Sequence, residues 1–146
     1  MAQAQTVRFS GLRVLLGDGA DPEVFTAPCG LTERSLTLSK ELGENNVPDC
    51  ADEDAASWTE RDVVSKTAEV KGQGVIDITA LGTWQAFYAS DTSQNVRVEV
   101  WRGTKVGHWQ GAFHLESLEF GATKGERATI QPSLQSDGAV VWTAAP

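Results

Sequence analysis

Residues Asn95–Trp101 read NVRVEVW, with valines at Val96, Val98 and Val100 and with Arg97, Glu99 and Trp101 between them. A period of two puts the two sets on opposite faces of one strand. The valines are expected against a core, and Arg97 and Glu99 against water.

The same period runs outward in both directions. Ser35–Ser39 (SLTLS) alternates, and so does Ser65–Ile78 (SKTAEVKGQGVIDI), where Gly72 and Gly74 suggest a bulge or a close backbone approach. Leu12–Phe25 (LRVLLGDGADPEVF) reads as two short strands around a Gly/Asp/Pro turn. Beyond Trp109 the pattern continues to Ala144. Phe113 and Leu115 alternate in one phase and Leu118 and Phe120 in the other, which predicts a β-bulge near Glu116–Ser117. Thr123–Glu126 (TKGE) and Ser136–Ala139 (SDGA) read as turns between strands.

One segment departs from the period. Thr79–Asp91 (TALGTWQAFYASD) places Leu81, Trp84 and Tyr88 on one helical stripe, with Ala80 and Phe87 beside it and Thr79 as N-cap. A helix over about 79–90, packed through Leu81, Trp84, Phe87 and Tyr88, is expected. Another segment, roughly Lys40–Thr59, shows almost no apolar periodicity. It carries Lys40, Glu41, Glu44, Asp49, Asp52, Glu53 and Asp54 and ends near Trp58. It reads as a long irregular loop, which in a compact domain is usually functional or disordered. Trp58 is a large apolar side chain in a polar setting, suited to anchor the loop on its own domain or on a neighbour. The expected fold is therefore mainly β: a sandwich or small barrel with one flanking helix and one long loop.

The 146 residues suit one domain, and 40% hydrophobic content with five Trp and five Phe argues for a packed core. The formal net charge of −8 opposes binding to nucleic-acid phosphates, though not passage past them. No apolar run is long enough to span a membrane. Met1–Ser10 lacks the pattern of a secretory leader, so the chain is expected to fold in a reducing cytoplasm with Cys29 and Cys50 as thiols.

Candidate chemistry is sparse. DCADED (Asp49–Asp54) has neither the glycine nor the bidentate glutamate of a calcium loop, and Gly17–Glu23 (GDGADPE) looks like an ordinary acidic turn. The two cysteines are not spaced as zinc ligands. Cys50 sits among carboxylates, which disfavour its thiolate. His108 and His114 share a strand face and read as solvent-side polar positions. There is no nucleophile elbow, and GQG lacks the rest of a phosphate-binding fingerprint. No cofactor, metal or catalytic residue is expected.

Three stretches together resemble the major tail tube protein of long-tailed bacteriophages and related phage-derived particles. They are LTERSLTLSKEL (Leu31–Leu42), SWTERDVVSKTAEVKGQGVID (Ser57–Asp77) and GAFHLESLEFGATKGERATIQPSLQSDGAVVWT (Gly111–Thr143). The resemblance spans about Leu12–Ala144, and Cys29 and Cys50 are not part of the pattern. It implies a tail-tube domain that assembles as hexameric rings stacked into a hollow tube for DNA ejection. It implies partners in itself, a tape measure protein, a distal tail initiator and a tail terminator, with double-stranded DNA as transient cargo and no membrane. The location implied is the virion tail, assembled in the bacterial host cytoplasm. On this reading Lys40–Thr59 is an inter-subunit arm. Its acids would meet Lys40, Arg61, Lys66, Lys105, Lys124 or Arg127 of another copy, and Arg97 and Glu99 would face water or the lumen. The alternative is a monomeric ligand- or carbohydrate-binding β-sandwich using an exposed Trp101 or Trp109.

Overall fold

A computed structural model describes residues 2–19 and 22–146. Its strands are β1 (Leu12–Gly17), β2 (Phe25–Thr26), β3 (Leu31–Asn46), β4 (Thr59–Val75), β5 (Gln94–Arg102), β6 (Thr104–Gly121) and β7 (Thr129–Ala144), with the helix α1 (Ile78–Ala89) between β4 and β5. They form one antiparallel sheet in the order β2-β1-β5-β6-β7-β4-β3. The class is mainly β, as expected. In place of two stacked sheets there is a single sheet that curls until β1 and β3 touch. Arg34 of β3 helps close it: its Nη2 donates to the Phe9 carbonyl at 2.7 Å, and its guanidinium lies 4.2 Å from the centre of the Phe9 ring.

The concave face holds the core. Val14 and Leu16 of β1, Val96 and Val98 of β5, Phe113 of β6, Ile130 and Leu134 of β7 and Ala68 and Val70 of β4 all converge there with Trp84 and Phe87 of α1. The alternation of β5 is what puts Val96 and Val98 inside. The phase slip in β6 is also real: the β6–β7 register shifts between Leu115 and Ser117, which lets Leu115 and Leu118 both pack on the core. Gly74 lies where the β3–β4 register shifts, and a Cβ there would collide with the Gly30 carbonyl oxygen. The close approach expected around Gly72–Gly74 is therefore present. The two short strands around Leu12–Phe25 pair at Leu16–Thr26 and Gly17–Phe25, and Ala20 and Asp21 of their turn, inside the acidic Gly17–Glu23 stretch, lie outside the described residues.

Several expectations are corrected. The helix starts at Ile78 and is capped by Asp77, not by Thr79: Asp77 Oδ1 accepts from the Thr79 N–H at 3.2 Å and Oδ2 from its hydroxyl at 2.8 Å. A carboxylate is as good a cap as a hydroxyl, and here it bonds both Thr79 donors. The buried residues are Trp84 and Phe87; Ala80, half-buried, packs against the same core, while Leu81 is half-buried and Tyr88 60% exposed. One-residue rotation of the stripe accounts for the difference. Ser136–Ala139 is not a turn: β7 runs through it, and its extra residues make a bulge opposite Gly111–Phe113, with Gly138 at φ +99°. Thr123–Glu126 is a turn, closed by the Glu126 N–H to the Thr123 carbonyl at 3.0 Å.

The loop is corrected most. Lys40, Glu41 and Glu44 are strand residues of β3, and the irregular connection is confined to 47–58. Asn45 pairs with Glu60 and Asn46 with Thr59, so the segment is a long hairpin.

Candidate assembly surface

The β3–β4 hairpin leaves the sheet. β4 pairs with β7 only from Glu69 to Lys71 and at Gly74–Val75, with the Ala68 N–H also donating to Ser136 Oγ at 2.9 Å, so Thr59–Thr67 has no strand partner but β3. At about 3.3 Å per residue this two-stranded ribbon is roughly 30 Å long. Every residue from Thr37 to Thr67 is exposed except Gly43, which is half-buried. A ribbon of this kind is marginal alone, because each face meets solvent.

Its side chains are not those of a solvated ribbon. Leu42 pairs with Val63, and Leu38, Leu42, Val47, Val63 and Val64 are each about half exposed or more. Trp58 is 93% exposed, which excludes the reading that it anchors the tip on its own domain. At the tip the Asp49 carboxylate accepts from the Ala51 N–H at 2.9 Å, and Asp52 from the Asp54 N–H at 3.3 Å. These two acids shape the connection. Glu53 and Asp54 have no side-chain partner among the described residues.

The ribbon and β7 diverge. Between them lies an open groove of about 760 Å³, lined by Leu38, Val63, Val64 and Ala68 on one side and by Ala139 and Val140 on the other. The far edge of β7 from Ser136 onward has no β4 partner, and the outer edge of β3 has none along its length. These are unpaired, partly apolar edges of the sort that natural proteins cover. Sequence reading missed the groove, although Leu38, Val63 and Val64 carried its signal.

The convex face of the sheet is polar. Glu33, Glu69, Glu116 and Glu119 line a broad depression on it, with Lys71 among them. Lys71 Nζ lies 3.3 Å from Glu69. Further along the same face are Arg97 and Glu99, and here the expectation of free exposure fails. Glu99 is buried, at 7% exposure, because Lys105 Nζ sits 3.1 Å away, the Trp101 indole donates to it at 3.1 Å, and Arg97 lies at 3.9 Å. Burial pushes the Glu99 carboxyl up, but the hydrogen bonds from Trp101 and Lys105 and the charges of Lys105 and Arg97 outweigh it, so it titrates below the usual range. Arg97 is itself held, by Gln110 Oε1 at 2.9 Å and over the Phe25 ring at 4.1 Å. His108 pairs across the strands with Glu99 and is half-buried. Its burial, then Lys105 and Arg97, lower its pKa against the pull of Glu99. His114 is exposed, with Nε2 3.2 Å from Asp137.

Neither tryptophan of the ligand-binding alternative is a free platform. Trp101 is half-buried beneath the Arg13 guanidinium, 4.6 Å from its ring centre. Trp109 is half-buried on the core side, 4.6 Å from the ring of Trp142. Cys29 and Cys50 are both exposed and free. Among the described residues no three His, Cys, Asp or Glu side chains group as metal ligands, and no helix is long and apolar enough to cross a membrane.

Comparison with known proteins agrees with this geometry. The family described as phage tail tube protein matches residues 7–142, so the chain belongs to that family. Among solved structures, it is similar to a chain in the virion of a native gene transfer agent particle, at 20% identity and a TM-score of 0.72, covering 97% of this chain and 100% of that one. A chain from the tail of an empty gene transfer agent particle with C6 symmetry gives 20% identity and a TM-score of 0.73, with the same coverage. The SPP1 tail tube gives 13% identity and a TM-score of 0.68 over 96% of this chain and 80% of that one. At these identities the likeness is one of fold. No curated protein sequence matches.

Proposed function

We propose that this member of the phage tail tube family is one tail-tube domain that polymerises as stacked rings into a hollow tube, through which double-stranded DNA passes during ejection. The observation that carries this is the free-standing β3–β4 ribbon, whose apolar side chains and Trp58 are exposed in the single copy. Such surface needs a partner. Six copies per ring follow the C6 symmetry of the gene transfer agent tail. Within a ring, the unpaired edges of β3 and β7 and the groove beside the ribbon are where sheets of adjacent copies join, which removes the edges altogether.

The helix and core occupy the concave side, so the polar convex side is the one left to line the lumen. Its glutamates Glu33, Glu69, Glu116 and Glu119 then face the cargo and repel phosphate, which keeps DNA mobile. Rings that stack head to tail form an open filament with two unlike ends. Its partners are accordingly an initiator in the distal tail, a terminator at the head end and a tape measure protein inside. The protein acts as a structural component of the virion tail, assembled in the host cytoplasm, and catalyses no reaction.

The test removes 49–57 and images both proteins by negative-stain electron microscopy at high concentration. Wild type should give hollow tubes or stacked rings, and the deletion variant should remain folded by circular dichroism yet give none. Tubes of normal length from the deletion variant would refute the arm.

A further inference from the structure

The curled sheet closes where β1 touches β3, and no strand ladder joins the two. The segment before β1 spans this seam. Three arginines from three strands hold it by its backbone carbonyls. Arg102 of β5 donates to Thr6, Arg13 Nε of β1 to Ser10 at 3.0 Å, and Arg34 Nη2 of β3 to Phe9 at 2.7 Å. Arg13 and Arg34 also lie over the Trp101 and Phe9 rings. A fourth arginine, Arg8, stands exposed within the segment itself.

Four of the chain's seven arginines thus gather at one place in a protein of net charge −8. None of the four is ion-paired among the described residues; the pairs that form use Arg61, Lys71, Arg97, Lys105 and His114. A neutral carbonyl is the weaker partner for a guanidinium, whose planar fork of donors matches an oxyanion. Arg34 shows the deficit most sharply. Its Nε is shielded from water and has no acceptor. Burial, and then the charge of Arg13, lower its pKa, and no carboxylate acts against them. A buried donor without an acceptor is costly and calls for a partner.

Room for one lies beside it. An open pocket of about 360 Å³ is lined by Val7, Arg8, Phe9, Leu12, Arg34 and Val100, with no carboxylate among them. It can hold a tetrahedral oxyanion together with hydrating water.

We propose that this pocket is an oxyanion site, taking inorganic phosphate or a group of the same chemistry between Arg8 and Arg34, with Arg13 adding its charge from β1. The bound anion joins the segment before β1 to β3 and so fastens the seam. A small anion is favoured over a nucleic-acid backbone, because the net charge of −8 repels a polyanion while a local cluster still attracts one phosphate. The site belongs to the single subunit and does not depend on tube formation.

The test is thermal unfolding of the full chain at neutral pH in sodium phosphate, with sodium chloride holding ionic strength constant. Wild type should show a saturable rise in melting temperature, roughly 3–6 °C at tenfold the half-saturating phosphate concentration. Phosphate also stabilises proteins that have no site, by exclusion from their surface, but that rise does not saturate. Arg8→Gln changes an exposed side chain, so it should keep the melting temperature in chloride and raise the half-saturating concentration about tenfold. Arg34→Gln also loses the seam contact, so its readout is the disappearance of the saturable phase. By NMR the Arg34 Nε–H resonance of wild type should move with the same half-saturation. An identical phosphate response in wild type and Arg8→Gln, or an unmoved Arg34 resonance, would overturn the site. A short DNA duplex at matched phosphate content should give no saturable phase. Saturable stabilisation by the duplex with none from inorganic phosphate would also overturn it, and would assign the arginines to nucleic acid.

Discussion

The β5 strand and the β3–β4 ribbon are both paired antiparallel structure and end in opposite environments. In β5, Val96 and Val98 are buried to 1% exposure or less under Trp84 and Phe87. In the ribbon, Leu42 and Val63 also pair across the strands, next to the register shift between Glu41 and Leu42, and are each 49% exposed. Backbone pairing is satisfied in both. What differs is whether the covering layer is encoded in the same chain. Where α1 supplies it, alternation yields a core. Where no element does, paired strands leave their apolar side chains as an exposed surface, and such a surface marks an interaction site.

Emptying the side that is covered should have the largest effect. Trp84→Ala removes a residue 2% exposed at the centre of the helix–sheet contact, and should destabilise the isolated subunit by about 3–5 kcal/mol. Urea unfolding of the monomer measures it. A loss near zero would mean that α1 does not cap the core, and the contrast between the two regions would collapse.

The Glu99 cluster gives a smaller, pH-dependent effect on the convex side. Its folded pKa is lowered, so its contribution is fully present above the unfolded value, near 4.3, and is lost as pH falls through the folded value. His108 acts in the same direction at higher pH. Its neutral form is favoured in the fold, so stability begins to fall as pH drops through about 6.5. Melting temperature against pH should therefore decline in two stages toward acid. Glu99→Gln should abolish the lower stage and, by removing the upward pull of Glu99 on His108, deepen the upper one. An unchanged lower stage in that variant would show that other carboxylates carry it.

Sequence reading succeeded where one face was buried. The period-two strands, the phase slip at Glu116–Ser117, the crowding at Gly74 and the helix within one residue of its start all follow from the demand that apolar side chains point one way. It failed where that demand is absent. Lys40–Asn46 looked irregular because a ribbon wet on both faces needs no strict alternation, so KELGENN hid a strand. Ser136–Ala139 looked like a turn because a glycine at positive φ serves a bulge as well as it serves a turn. Glu99 was expected in water because alternation alone cannot show that Lys105, one strand away, bends over it. Trp58 was the one arm residue whose oddity could be read directly: an indole beside four acids has no local reason to be there.

The smallest expected effect is the most discriminating one. Leu42→Ser alters a ribbon side chain that already meets water, so the unfolding free energy of the monomer should move by no more than about 0.5 kcal/mol. The same change should hinder tube formation, because a serine there forfeits the apolar contact that Leu42 gains when a neighbouring copy covers the ribbon. Monomer stability and assembly thus come apart at Leu42, whereas at Trp84 both fail together. If Leu42→Ser lowered monomer stability as a core substitution does, the ribbon would already be folded against its own subunit in solution. The distinction between a covered strand and a waiting one would then belong to the static picture only.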